Sequence, residues 1–282
     1  MTEAMAQKGM AERVFGLVSP LGPVRAGLFH LYDRMKRRKL PWLAFDRALG
    51  IDTRGFLSRH VLSSGKASDS QILAYVGVMP TVVRAGLAEI PDLEASHFID
   101  IGAGKGRALA VASEQRFPSL TGIELNPGLC AIARRHARLI ARAHPERTPI
   151  RIVEGDASRP TWPVDGALTV FAYHPFHEEC MARLADAMAE AAQARTVFFI
   201  YVNPVHGGII DAHPAFRRWY AAQVRYSDDE TQVTAEREDA LVIWRAGPGI
   251  GREGPLSGRG AERPIVVVDP GWGARLGQGA DA

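Results

Sequence analysis

The chain has 282 residues, is 46% hydrophobic and 23% charged, and carries a formal net charge of +3. That length buries a sizeable core and that balance excludes a disordered or fibrous chain, while the charge is too mild to require a nucleic-acid partner. Two distant cysteines, Cys130 and Cys180, without a CxxC or a His-rich neighbourhood exclude a disulfide scaffold and supply no metal set.

The first ten residues are polar and include Glu3, which is not the pattern of a signal peptide. No apolar run approaches the length of a transmembrane helix, so a cytoplasmic location is expected. Residues 1–50 carry loose helical patterning, with an apolar cluster at Val14, Phe15, Leu17 and Val18. A basic run follows at Arg34, Lys36, Arg37, Arg38 and Lys39. Such a run reads as a solvated helix face or arm. Nearby Phe29, Tyr32, Trp42 and Phe45 keep open an anionic partner such as RNA. Asp52-Thr53-Arg54-Gly55 reads as a turn, and Ser68-Asp69-Ser70 as a helix start. Thr81 through Ala88 reads as an amphipathic helix with Thr81 as N-cap, ended by Pro91-Asp92.

Phe98, Ile99 and Ile101 make a short apolar strand, and Ala108 to Glu114 reads as helix. Between them stand Gly102, Gly104 and Gly106. A glycine turn from strand to helix aims backbone N–H groups at a ligand, at the positive end of a helix. The dinucleotide fingerprint fails because Arg107 stands at its last position. The P-loop fails because Gly106 follows Lys105 and Ile99 stands where its first glycine belongs. What remains is an acid, one residue, and G-x-G-x-G: Asp100, Gly102, Gly104, Gly106. This resembles motif I of the class I, seven-strand S-adenosylmethionine-dependent methyltransferases.

The resemblance covers roughly residues 70–245 and implies a doubly wound, mostly parallel seven-stranded α/β sheet of Rossmann-like type. It implies S-adenosylmethionine as cofactor, with Asp100 serving the ligand's ammonium and the glycine turn its carboxylate. It also implies a segment before motif I that closes over the cofactor. There Tyr75 touches the methionine carboxylate or lines the methyl channel, or else packs on the core with its hydroxyl in water.

Leu120–Pro127 reads as the second strand and its exit, and its Glu124 lies where a carboxylate can accept both ribose hydroxyls, with Leu125 beside it. A helix runs from Asn126-Pro127 to about Arg142. The third strand, Ile150–Val153, alternates like an edge strand and leads to Asp156 and Ala157. The resemblance gives Asp156 to the adenine amino group and the Ala157 N–H to an adenine ring nitrogen; the plain alternative is a turn cap.

Gly166–Ala172 reads as the fourth strand and leads into Tyr173-His174-Pro175-Phe176-His177. Strand carboxyl ends face the ligand crevice in such sheets. The segment is loosely similar to the [DN]-P-P-[YF] signature of amino-group methyltransferases, but His174 fills the polar slot and one proline follows. His174 and Tyr173 are the candidate catalytic residues, His174 as a base or as a group orienting water. After a helix over 180–190, Thr196–Val202 reads as a central strand whose exit places Asn203 and His206 toward the substrate. Residues 214–220 read as a short helix. Strands near 221–226 and 240–244 complete the sheet, the last one antiparallel as the resemblance implies. From Gly247 glycine and proline dominate, apart from Ile265–Val268, so this stretch reads as a mostly mobile tail with one extended piece.

The expected layout is an N-terminal helical extension over 1–69, a methyltransferase domain over 70–246 and a tail over 247–282. The expected reaction is in-line methyl transfer, without metal, to an N or O nucleophile on a protein lysine or a small molecule. The alternatives are a non-catalytic S-adenosylmethionine-binding protein and an RNA methyltransferase using the basic run 34–39.

Overall fold

The computed structural model describes residues 22–38, 40–62, 73–248, 250, 260–269 and 273–278. The cluster at Val14–Val18, Lys39 and the helix start at Ser68–Ser70 lie outside them.

Before the sheet come helices α1 (Gly22–Arg37), α2 (Ala44–Leu49), α3 (Arg59–Leu62) and α4 (Pro80–Ala88). The sheet then alternates with helices. It runs through β1 (Ser96–Ile101), α5 (Arg107–Ala112), β2 (Leu120–Glu124), α6 (Pro127–Ala143), β3 (Ile150–Glu154) and β4 (Ala167–Tyr173). Next are α7 (Glu178–Ala191), β5 (Val197–Val202), α8 (Gly207–Ala212), β6 (Arg217–Arg225) and β7 (Glu238–Ala246). A hairpin of β8 (Ile265–Asp269) and β9 (Gly273–Leu276) closes the described chain.

The seven-stranded order is β3-β2-β1-β4-β5-β7-β6. β1 to β5 pair in parallel, and β7 pairs antiparallel with both β5 and β6. This is the doubly wound Rossmann-like methyltransferase sheet implied by motif I. The order reverses between β1 and β4, where an open α/β sheet forms its ligand crevice.

Both faces are covered, which is why the central strands are apolar without alternation. On one face Phe98, Phe171, Ile200 and Ile243 pack under α4, α5 and α6. On the other, Ile101, Val170, Tyr201 and Trp244 pack under α7 and α8. The Asn126 side chain caps α6 by accepting from the Leu129 N–H at 3.0 Å, and Pro127 fills the first turn.

Two expectations change. Residues 214–220 are not a helix: α8 ends at Ala212, and β6 already begins at Arg217. The aromatic side chains decide it. Trp219 stacks edge-on against Phe198 at 5.6 Å between centroids, and its indole N–H donates to the Glu89 carbonyl at 2.8 Å. Thr81 is not the N-cap of its helix, because Pro80 already occupies the first turn. The Thr81 N–H instead donates at 2.8 Å to the carboxylate of buried Glu230. The extended piece expected at Ile265–Val268 is β8, and it forms part of a hairpin against the sheet. Val266 and its neighbours pair with β9, Leu276 is buried in the core under α7, and the Ala274 N–H donates to Asn203 Oδ1 at 2.6 Å.

Candidate functional site

The carboxyl ends of β1, β2, β3 and β4 share one edge, so Asp100, Glu124, Asp156 and Tyr173 are brought to a single cleft between β1 and β4. The turn after β1 puts Gly102, Gly104 and Gly106 at φ 73°, 55° and 84°, the left-handed region that a Cβ disfavours. A Cβ on Gly104 would lie 2.5 Å from the Tyr75 ring. The glycines therefore supply both the turn and a close approach.

Asp100 is 3% exposed. Burial and then the neighbouring Glu124 carboxylate push its carboxyl up to about 8. Glu124 is itself raised by burial, against the pull of backbone N–H donors. Its Oε2 accepts from the Gly104 N–H and its Oε1 from the Asn126 N–H, each at 2.8 Å. Glu124 thus fixes the shape of the glycine turn from the neighbouring strand. Leu125 and Ala157 line the same cleft. Asp156 does cap a turn: its Oδ1 accepts from the Ser158 N–H and hydroxyl at 2.9 and 2.7 Å.

Tyr75 lies across the turn with its hydroxyl away from water. The O–H donates to the Thr53 carbonyl at 2.6 Å, and burial raises its pKa. Lys105 also points away from the cleft. It is fully buried, donates to Asp33 Oδ1 at 2.7 Å and to the Arg54 carbonyl at 2.6 Å, and is pulled down to about 8 by burial. Arg107 donates to Thr53 Oγ1 at 2.6 Å and to the Thr53, Gly77 and Val78 carbonyls. Motif I therefore holds the segment before it through both of its basic side chains.

At the exits of β4 and β5, His174 and Asn203 adopt φ 38° and 53°. These are sparsely populated conformations for residues with a side chain, of the kind that cluster at functional sites. His174 Nδ1 is 3.4 Å from the Tyr201 hydroxyl, and its ring centroid is 5.7 Å from that of His206. Burial lowers His206 and raises Tyr201. Burial, followed by the Asp239 and Glu236 charges, also raises Tyr173, so its phenol keeps its proton at neutral pH. Asn203 is committed to β9 through its Oδ1.

The sequence reading missed Asp239 and Tyr226. β7 runs antiparallel, so its start and the end of β6 come to the same edge as Asn203, whose N–H donates to the Ala240 carbonyl at 2.7 Å. A carboxylate opening an apolar strand is the one signal in the sequence that marks this position. The basic run does not act as one unit, because Arg37 pairs with Asp33 and Asp52 while Arg34 and Arg38 are exposed. Among the described residues no group of three or more His, Cys, Asp or Glu is arranged to hold a metal, and no helix is long and apolar enough to cross a membrane.

No protein-family model matches the chain, and no curated protein matches it. Among solved structures, one similar to it is an RNA methyltransferase from Salinibacter ruber in complex with S-adenosyl-L-homocysteine, 17% identical over 63% of this chain and 98% of that one, with TM-score 0.42. Another is an arsenic (III) S-adenosylmethionine methyltransferase from Chlamydomonas reinhardtii, 18% identical over 61% and 76%, with TM-score 0.38. A third is an S-adenosylmethionine dependent methyltransferase from Mesorhizobium loti, 15% identical over 57% and 96%, with TM-score 0.42. These likenesses are distant, and the fold is read from the strand order and direction of the chain itself.

Proposed function

We propose, from its Rossmann-like methyltransferase fold, that the chain is an S-adenosylmethionine-dependent methyltransferase acting on an N or O nucleophile. The observation that carries the reading is the left-handed glycine turn flanked by carboxylates at three successive strand ends. The donor set suits the cofactor. Asp100 is an acid pushed up to about 8 by burial and by the Glu124 carboxylate, a shift that an ammonium against it would relieve. The N–H groups at the start of α5 suit a carboxylate. Glu124 and Asp156 each retain lone pairs for ribose hydroxyls and an adenine amino group, with Leu125, Ala157 and Tyr75 as apolar walls. Bound there, S-adenosylmethionine supplies a methyl group already activated on a sulfonium.

The residues of this chain then orient the acceptor and exclude water. Tyr173, protonated at neutral pH, donates a hydrogen bond rather than acting as base. His174 takes the acceptor's proton at Nε2, in the tautomer whose Nδ1–H points to the Tyr201 oxygen. Calorimetry with S-adenosylmethionine tests the site. Glu124→Ala is expected to weaken binding by ~10-fold or more, since it leaves two turn N–H groups without their acceptor. Full affinity in both Glu124→Ala and Asp100→Ala would remove the assignment.

A further inference from the structure

Beside the cofactor cleft lies a second cavity of about 430 Å³, within the size range of small-ligand sites. Tyr173, Gly77 and Arg107 line both. The second cavity is built where β6 and β7 meet the exit of β5. Asp239 lines it, is 8% exposed, and has an Oδ2 without a hydrogen-bond partner. Its carboxylate is in contact with the Tyr226 hydroxyl, and the charge acting on it is the Glu236 carboxylate. Glu238 also lines the cavity, while Phe56, 57% exposed, adds an aromatic rim.

A buried carboxylate oxygen without a donor is costly, and it marks where a donor from outside the chain belongs. The three arginines of the cavity do not fill that place. Arg54 is taken by Asp52 and the Leu40 carbonyl, and its guanidinium stacks on Trp42 at 3.6 Å. Arg107 is spent on Thr53, Gly77 and Val78. Arg275 is exposed on β9. Aromatic faces with carboxylates select an alkylammonium over an anion or a neutral alcohol.

We propose that this cavity is the acceptor site and that it takes a cationic alkylamine, its ammonium anchored on Asp239 beside Tyr173; the nitrogen that accepts the methyl must first give up its proton to His174 of the adjoining cleft. This rests on the methyltransferase reading for the word acceptor, but the binding stands or falls by itself. Two sources share the chemistry: a free diamine and a lysine side chain.

The test titrates the full chain with putrescine, with a short capped peptide holding one lysine, and with butanediol as the neutral mimic. Binding is read by NMR and calorimetry, with and without S-adenosylmethionine. Saturable binding of an amine but not of the diol is expected, weakened ~10-fold or more in Asp239→Asn by loss of a charged hydrogen bond. Tyr226→Phe, which removes only the hydroxyl facing Asp239, serves if Asp239→Asn does not fold. Putrescine binding alone assigns a small-molecule acceptor, and peptide binding alone a protein one. Equal binding of diol and amine, or binding of neither amine, overturns the proposal. Failure of S-adenosylmethionine to bind overturns the cofactor reading and leaves the amine result standing on its own.

Discussion

On the glycine-turn side of the site, buried charges other than Asp100 are matched within the chain. Lys105 meets Asp33, Arg107 meets four oxygens of the preceding segment, and Thr53 N–H and Oγ1 both donate to buried Asp46 at 2.8 Å. On the strand-exit side the accounts stay open. Asp239 keeps an unpartnered oxygen, and His174 and Asn203 hold strained backbone. Buried polar groups matched internally rigidify a structure, whereas unmatched groups and strain gather where a ligand completes the chemistry. The first wall is a scaffold that holds a cofactor turn in shape; the second is a surface awaiting a partner.

The largest expected effect breaks the scaffold. Lys105 and Asp33 are 0% and 1% exposed in their ion pair, and removing one partner of such a pair costs about 3–5 kcal/mol. Lys105→Met should lose that much in urea unfolding, and Lys105→Met with Asp33→Leu should recover only part of it, because Arg37 then loses Asp33. A single-variant loss below ~1 kcal/mol would show that the pair is no fastening. Turnover comes next. His174→Ala should lower it by ~10²-fold, the scale for losing a general base, while leaving cofactor affinity intact. An unchanged rate on an identified acceptor would remove His174 from the chemistry.

The local part of this architecture was legible in the sequence. Gly102, Gly104, Gly106, Glu124 and Asp156 sit at fixed offsets from strand ends, and strand ends follow from apolar runs. The fastening was not legible, because Lys105 and Arg107 find their partners 29 to 72 residues away, in a segment that reads as no more than loosely helical pieces and turns. Asp239 was hidden for a different reason: it falls just before the strand expected over 240–244, and its place at the cleft depends on how the start of β7 pairs with the exit of β5. Residues 214–220 misled because Trp219 is set by its contacts with Phe198 and Glu89, which no local propensity encodes.

Stability against pH gives a separate handle on the cofactor wall. Asp100 titrates near 8 in the fold and near 4 when unfolded. Between these values the unfolded chain has released the proton and the folded one still holds it. Asp100 therefore makes stability fall as pH rises through that window, by at most ~1.4 kcal/mol per unit, and contributes no slope above 8. Asp100→Asn should be more stable than the parent at pH 8 and nearly equal at pH 4, measured by urea unfolding. A constant difference at the two values would show that the acid is ionised throughout. Bound cofactor should reverse the sign, since an ammonium favours the ionised form.

The smallest effect separates the two halves of the basic run. Arg37 is turned inward on Asp33 and Asp52, whereas Arg38, on the next position, is exposed. Arg38→Ala should change stability by no more than ~0.5 kcal/mol, the usual range for a surface site. Arg37→Ala should cost more, because it leaves Asp33 with Lys105 as its one cation and Asp52 with Arg54 as its one cation. Equal, near-zero losses in urea unfolding would mean that the ion pairs around Asp33 matter no more than exposed ones. A loss in Arg38→Ala as large as in Arg37→Ala would mean that the whole run is part of the fastening.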